Sequence, residues 1–310
     1  NGSHLSPADF TATNGSDVVL GVAASADDVC DIISYTPFEV ADATFTGTTT
    51  LDGAVVINES SADVDFRVEG NGLTHALFVD GETDNVMIGT SVAGRATEGA
   101  DRLTIADASH SGMTIRSGVN AYGSINFSDS EGGVGEYAGQ IWFGHGSLGN
   151  KLVLASGGTN KVIVDSTGAV TIPLQPAFGV HPATTQSDIA INGIRTVVFG
   201  TERFDIGSNF ASNTFTAPVT GKYQLNVEIR LDNVDTAATY YHLYLTTSNK
   251  TYHNIIQPLF TSDPAYMSLC TAALADMDED DTAYVGIYQA AGTAQTDIHP
   301  DSNFTGILVA

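Results

Sequence analysis

Between Lys222 and Asp232 the chain alternates without a slip. Tyr223, Leu225, Val227, Ile229 and Leu231 take every second position, with Gln224, Asn226, Glu228 and Arg230 between them. A helix would repeat its apolar positions every three to four residues, so a period of two demands a strand with one apolar face. Such a strand belongs to an antiparallel sheet that is wet on one side and packed on the other. The apolar side needs a second layer to cover it, which makes this a core strand of a sandwich. The preceding run, Asn213-Thr-Phe-Thr-Ala-Pro-Val-Thr-Gly221, reads as a short strand and then a turn made by Pro218 and Gly221.

Further strands are expected near 176–181, 194–200, 213–217, 238–247, 250–257, 264–274, 281–289 and 303–309. No long stretch of the 310 residues has helical periodicity, and only 15% are charged. With 32 glycines to make turns, the chain is expected to be all-β, with room for two or three modules.

The spacing Phe204, Asn209-Phe210, Phe215, Pro218, Gly221, Tyr223 resembles the signature of the globular head of complement component 1q, a jelly roll related to tumour necrosis factor. Gln175-Pro-Ala-Phe178 and Asn303-Phe-Thr-Gly-Ile-Leu-Val309 resemble the first and last strands of that domain. The resemblance covers 175–310. It implies a ten-stranded sandwich that associates as a homotrimer and leaves the ligand unnamed, since the fold hosts many recognition tasks.

Upstream, the pattern is looser. Asp9-Phe-Thr-Ala-Thr and Asp17-Val-Val-Leu20 flank Asn14-Gly15 and signal a hairpin. Asp28 to Tyr35 is expected to add a strand, and 1–38 reads as the end of a small β module. From 39 to 174 the chain reads as a β shaft. Thr44 to Ile57 is Thr-rich, as extended chains favour. Phe78 to Ile88 echoes Val162 to Ile172, each as apolar strand, Asp-led turn, apolar strand, with Thr50 to Ile57 a shorter version. An Asp at such a turn bonds the backbone two residues on. Met113–Ile115, Ser124–Phe127, Gln140–Phe143 and Leu152–Leu154 are short strands between Gly-rich turns. One chain has little core here, and three side by side could bury Ile141, Phe143, Leu152 and Leu154 together. These segments, and 1–38, resemble modules of tail fibres from tailed phages of marine bacteria. The resemblance implies an elongated trimeric shaft carrying a jelly-roll head.

Acidic residues outnumber basic ones by 36 to 11, for a formal charge of −25. Such a chain repels nucleic acid and anionic lipid and suits a saline medium. A trimer would carry roughly three times that charge, which invites divalent counterions. No apolar run is long enough for a transmembrane helix, so membrane insertion is not expected. Cys30 and Cys270 fall in different modules and are expected to be buried free thiols. No leader pattern opens the chain and its first residue is not Met, so a longer protein is expected.

Asp276-Met-Asp-Glu-Asp-Asp281 is the densest carboxylate cluster, with Asp278, Asp280 and Asp281 as candidate calcium ligands and a solvated turn as the other reading. The twelve-residue calcium loop does not fit, because Asp281 stands where its Gly should be and Ile287 where its Glu should be. Asp232 and Asp235 are a weaker site of the same kind. Tyr240, His242 and Tyr244 alternate with Tyr241, Leu243 and Leu245, so one set meets the core, and the first set is the candidate trimer contact. Trp142 reads as a packing residue, and Asp129, Glu131 and Glu136 as scattered carboxylates. No nucleophile elbow, phosphate loop or zinc spacing occurs, so an enzyme is not expected.

The polar loops Asn233–Ala238, Ser248–Tyr252 and Thr261–Tyr266 are the candidate receptor surface, through Asn233, Asp235, Asn249, Lys250, Tyr252, Asp263 and Tyr266. Together with the fibre resemblance, they imply an extracellular virion attachment fibre. Its partners would be two further copies, other tail proteins and a bacterial glycan or outer-membrane protein. A purely structural capsid or collar fibre is the alternative, and a polysaccharide-degrading tailspike a more distant one.

Overall fold

A computed structural model describes residues 4–13, 17–33, 45–57, 60–94 and 102–310. The chain divides into two compact units, Asn1–Gly112 and Met113–Ala310.

In the first unit, β1 (Phe10–Thr11) pairs antiparallel with β2 (Val19–Leu20), as the hairpin pattern predicts, although Asn14 and Gly15 lie outside the described residues. β3 (Phe66–Gly70), β4 (Leu73–Val79), β5 (Val86–Ile88) and β6 (Leu103–Ile105) form a four-stranded sheet in that order. The last pair is parallel. The β4–β5 turn is held by Asp80, whose carboxylate accepts from the backbone N–H of Glu82 (2.9 Å) and Thr83 (3.0 Å). Two expected strands are absent: 28–33 and 45–57 contain none. Both lack a strict period of two with a partner in reach, so β-branched composition alone did not make a strand.

In the second unit, β7 (Tyr122–Phe127), β8 (Gly139–Gly144), β9 (Lys151–Ser156), β10 (Thr159–Val164) and β11 (Val170–Thr171) form an antiparallel meander. Met113–Ile115 is not a strand; Ile115 instead lies over Gly123, where a Cβ would meet its Cγ2 at 3.1 Å. The β10–β11 turn repeats the Asp80 device. Asp165 Oδ1 accepts from Thr167 N–H (2.8 Å), Thr167 hydroxyl (2.7 Å) and Ala169 N–H (3.0 Å). These bonds, led by the Thr167 hydroxyl, hold the Asp165 carboxyl below its ordinary value.

The remaining strands are β12 (Ala177–His181), β13 (Arg195–Thr196), β14 (Thr201–Ile206), β15 (Phe210–Ala211), β16 (Thr214–Thr216), β17 (Gly221–Asp232), β18 (Tyr240–Thr247), β19 (Thr251–Ile256), β20 (Tyr266–Met277), β21 (Thr282–Ala290), β22 (Asp297–Ile298) and β23 (Asn303–Leu308). They make two facing sheets. The first runs β14-β12-β23-β17-β20 with β22 beside β17, and the second β15-β16-β21-β18-β19 with β13 beside β21. This crossed order, with the last strand between the first and the middle one, is a jelly-roll sandwich. All five apolar residues of the alternating run in β17 are buried, so the expected core strand is the observed one. Phe178 sits at the centre, stacked on Phe215 (4.6 Å between ring centres) and edge-on to Phe304 (4.8 Å). Gly306 is required there, because a Cβ would come within 2.3 Å of the Phe178 ring.

Cys30 and Cys270 are both exposed, not buried as expected. In β20 the buried positions are Leu269, Ala273, Ala275 and Met277, and Cys270 falls on the opposite phase, facing out beside Glu228. Partial burial first, and that carboxylate second, raise its thiol pKa.

Candidate functional site: two ends and an uncharged aromatic face

The candidate receptor residues lie at opposite ends of β18. The 233–239 connection precedes that strand and the 248–250 turn follows it, while the 257–265 connection returns to the first end. Asn233, Asp263 and Tyr266 therefore share one end with Asp235, and Asn249, Lys250 and Tyr252 share the other with the Asp276–Asp281 turn.

At the first end the carboxylates hold the loops together. Asp235 is only 4% exposed and is removed from the receptor surface. Its carboxylate accepts from Ala237 N–H (2.8 Å) and from Thr293 N–H. Its own N–H bonds the Tyr241 hydroxyl (2.9 Å), which also bonds Thr296 (2.7 Å). A buried carboxylate costs free energy unless it is bonded this way. Asp263 accepts from Thr236 N–H (2.9 Å) and from Gln295 (2.9 Å) while remaining exposed. Its pKa is lowered, mainly by the Thr236 hydroxyl. Asn233 donates to Asp297 (2.9 Å). Tyr266 is 69% exposed, with the Arg230 guanidinium 5.6 Å from its ring centre.

At the second end, Asn249 donates to Asp281 Oδ2 (2.7 Å) and to the Asp276 carbonyl (3.0 Å). The same Asp281 oxygen accepts from Asp278 N–H (2.9 Å). Asp281 thus turns back on its own loop, and Asp280 takes a left-handed φ of 70°. Asp276 pairs with Lys222. Among the described residues no three His, Cys, Asp or Glu side chains are grouped to hold a metal ion, and this includes Asp278, Asp280 and Asp281. Asp232 is likewise engaged by Arg230 (3.0 Å). Lys250 lies 5.2 Å above the Tyr252 ring, and Tyr252 packs partly against the core.

The third element is the outward face of the second sheet. Tyr241, Leu243 and Leu245 are buried, which turns Tyr240, His242 and Tyr244 outward, half-exposed. Cross-strand register adds Tyr288 and Tyr284 from β21 and His253 from β19. His242 stacks on Tyr244 (3.8 Å) and bonds His253 through its Nε2 (2.8 Å). Tyr240 stacks on Tyr288 (5.8 Å). Burial first, and the facing His253 second, push the His242 imidazole below its ordinary value. No strand residue on this outward face is Asp, Glu, Lys or Arg, in a chain of net charge −25. The first sheet's outward face carries Lys222, Glu228, Arg230 and Asp232 on β17 alone. Tyr284, Tyr288 and His253 went unmarked in the sequence. Their alternation with Val285, Ile287 and Tyr252 was visible, but only register brings three separate strands to one face.

Trp142 lies half-buried in β8 with the Tyr122 ring 6.0 Å away and Lys151 5.8 Å above it. Residues 177–309 match the family model of the C1q domain. This agrees with the resemblance seen over 175–310. No curated protein sequence matches the chain. Among solved structures, the globular domain of zebrafish complement 1qA protein is 17% identical over 44% of this chain and 98% of that one, with a TM-score of 0.35. Murine APRIL at pH 8.0 is 15% identical over 44% and 99%, with a TM-score of 0.33.

Proposed function

We propose that this chain is an attachment fibre of a virus of bacteria, in which a C1q-type head self-associates as a trimer and presents its surface to a host-cell receptor. The observation that carries this reading is the uncharged Tyr, His and Thr face on a strongly acidic molecule. Two or three copies, each at −25, repel wherever carboxylates meet, so they can touch closely only on a face without them. Tyr240, His242 and Tyr244 supply rigid, amphipathic contact area of the kind enriched at protein interfaces. The receptor contacts are then the exposed end residues Tyr266, Asn233 and Asp263, with Asn249, Lys250 and Tyr252 at the opposite end. Three equivalent sites convert weak single contacts into avidity. The role is non-enzymatic, the location is the virion exterior, and the residues upstream of the head form the shaft that joins it to other tail proteins.

The test is adsorption. The purified chain should bind host cells and compete with infection, and Tyr266→Ala should weaken that binding without changing the molecular mass. Tyr244→Glu should convert the assembly to single chains. If Tyr244→Glu leaves the mass unchanged but abolishes cell binding, the aromatic face is the receptor contact and not the self-contact. A chain that neither binds cells nor blocks infection contradicts the attachment role.

A further inference from the structure

Two imidazoles meet on the outward face of the second sheet. His242 stands on β18 and His253 on β19, and register sets them on a diagonal, with Ile255 opposite His242 and Tyr244 opposite His253. His242 Nε2 lies 2.8 Å from His253 Nδ1. Tyr244 packs on both rings: it stacks on His242 at 3.8 Å and meets His253 edge-on at 5.5 Å. His253 is exposed and His242 half-exposed, so the pair opens to the medium. The strand residues beside it on β18, β19 and β21 are Tyr240, Tyr244, Ile255 and Tyr288, and none of these carries a charge at neutral pH. Burial first, and His253 second, hold His242 below the ordinary histidine value, which keeps its imidazole neutral at neutral pH.

We propose that His242 and His253 are a binding site for a divalent transition-metal ion of tetragonal preference, copper(II) or nickel(II). Two metal–nitrogen bonds of about 2.0–2.1 Å at a right angle put their nitrogens about 2.8–3.0 Å apart. That is the separation found here. A tetrahedral ion would spread them to about 3.3–3.4 Å, so the pair favours copper(II) and nickel(II) over zinc. A metal needs neutral imidazoles, and His242 is already held in that form. The hydrogen shared between the rings moves to the far nitrogen of its own ring. Each facing nitrogen then offers a lone pair, and no net proton is released. Among the described residues no third His, Cys, Asp or Glu joins the pair, so water fills the remaining positions. The net charge of −25 concentrates divalent cations around the chain. The site is complete within one chain, so it does not rest on the self-association proposed above.

The test titrates copper(II) into the full chain carrying Cys30→Ser and Cys270→Ser, because exposed thiols would take the ion as well. One ion should bind per chain at neutral pH, with nitrogen hyperfine structure from two imidazoles in its electron paramagnetic resonance spectrum. His242→Gln and His253→Gln should each weaken binding by roughly tenfold or more, with circular dichroism confirming the fold. His299, which lies 3.4 Å from Asp301, is the control, and His299→Gln should leave binding unchanged. Binding should fade toward pH 5 as the imidazoles take up protons, and excess magnesium should not displace the ion. Titration at two protein concentrations would show cover of the face by a copy as weaker binding at the higher one. An oxygen-only spectrum, or equal binding after His242→Gln with His253→Gln, overturns the site and leaves the attachment reading standing. An absence of binding at both concentrations overturns it as well.

Discussion

β17 carries apolar residues at every second position and β9 carries four in a row, Leu152 to Ala155, and the two strands end in opposite situations. In β17 the alternate set Tyr223 to Leu231 is buried beneath the second sheet of the same sandwich. In β9 Val153 and Ala155 are buried, while Leu152 and Leu154 look out from a single layer. Alternation therefore fixes which residues share a face. It does not say what covers that face. The head closes its core with its own second sheet, whereas the meander leaves one side for something else.

Truncation in the head should have the largest effect. Phe178 touches Phe210, Phe215 and Phe304, and no water reaches it. Phe178→Ala should destabilise the head by about 3–5 kcal/mol in denaturant unfolding, independent of protein concentration. A loss below ~1 kcal/mol would show that the sandwich does not depend on its own core. Next comes Asp235→Ala. It leaves the N–H groups of Ala237 and Thr293 without their partner, at a cost of about 1–3 kcal/mol. The measurement is thermal unfolding of the full chain, and a neutral result would return Asp235 to the list of surface residues.

Leu154→Ala sharpens the comparison most. The side chain is 43% exposed in one chain, so a free face predicts a loss below ~1 kcal/mol. A shared face predicts about 1–2 kcal/mol at high concentration and a smaller loss on dilution. Unfolding curves at two protein concentrations separate the cases.

The smallest effect is that of pH. His242 binds its proton less readily folded than unfolded, so the unfolded state takes up more protons as the medium acidifies. The stabilisation is fully present above the ordinary histidine value of 6.5 and falls as pH drops through that value. Unfolding midpoints should decline from neutral toward pH 5, and His242→Gln should flatten that decline. A decline of the same steepness in His242→Gln assigns it to other groups.

Much of the head was legible in the sequence because its signals are local. The β17 and β18 alternations name their own buried faces, and Asp80 and Asp165 announce turns that they bond within four residues. The misses were of another kind. Asp235 stands in a polar loop and looks solvent-borne, and its decisive partner, Thr293, is 58 residues away. Cys270 was assigned from the habits of cysteine, when the phase set by Leu269, Ala273 and Ala275 turns it outward. The acidic run at 276–281 could be read as a turn or a calcium site, and the sequence did not show that Asp281 bonds Asp278 N–H within the turn and Asn249 from a separate loop. β14 and β22 carry no apolar period and are strands only because β12 and β17 offer them edges.

Self-association is the premise on which the proposed role of the aromatic face depends. Light scattering on the purified full chain, followed down a dilution series, tests it most directly. The expected result is a species of three times the 32.3 kDa chain mass that persists as concentration falls. A folded 32.3 kDa species at every concentration would contradict it.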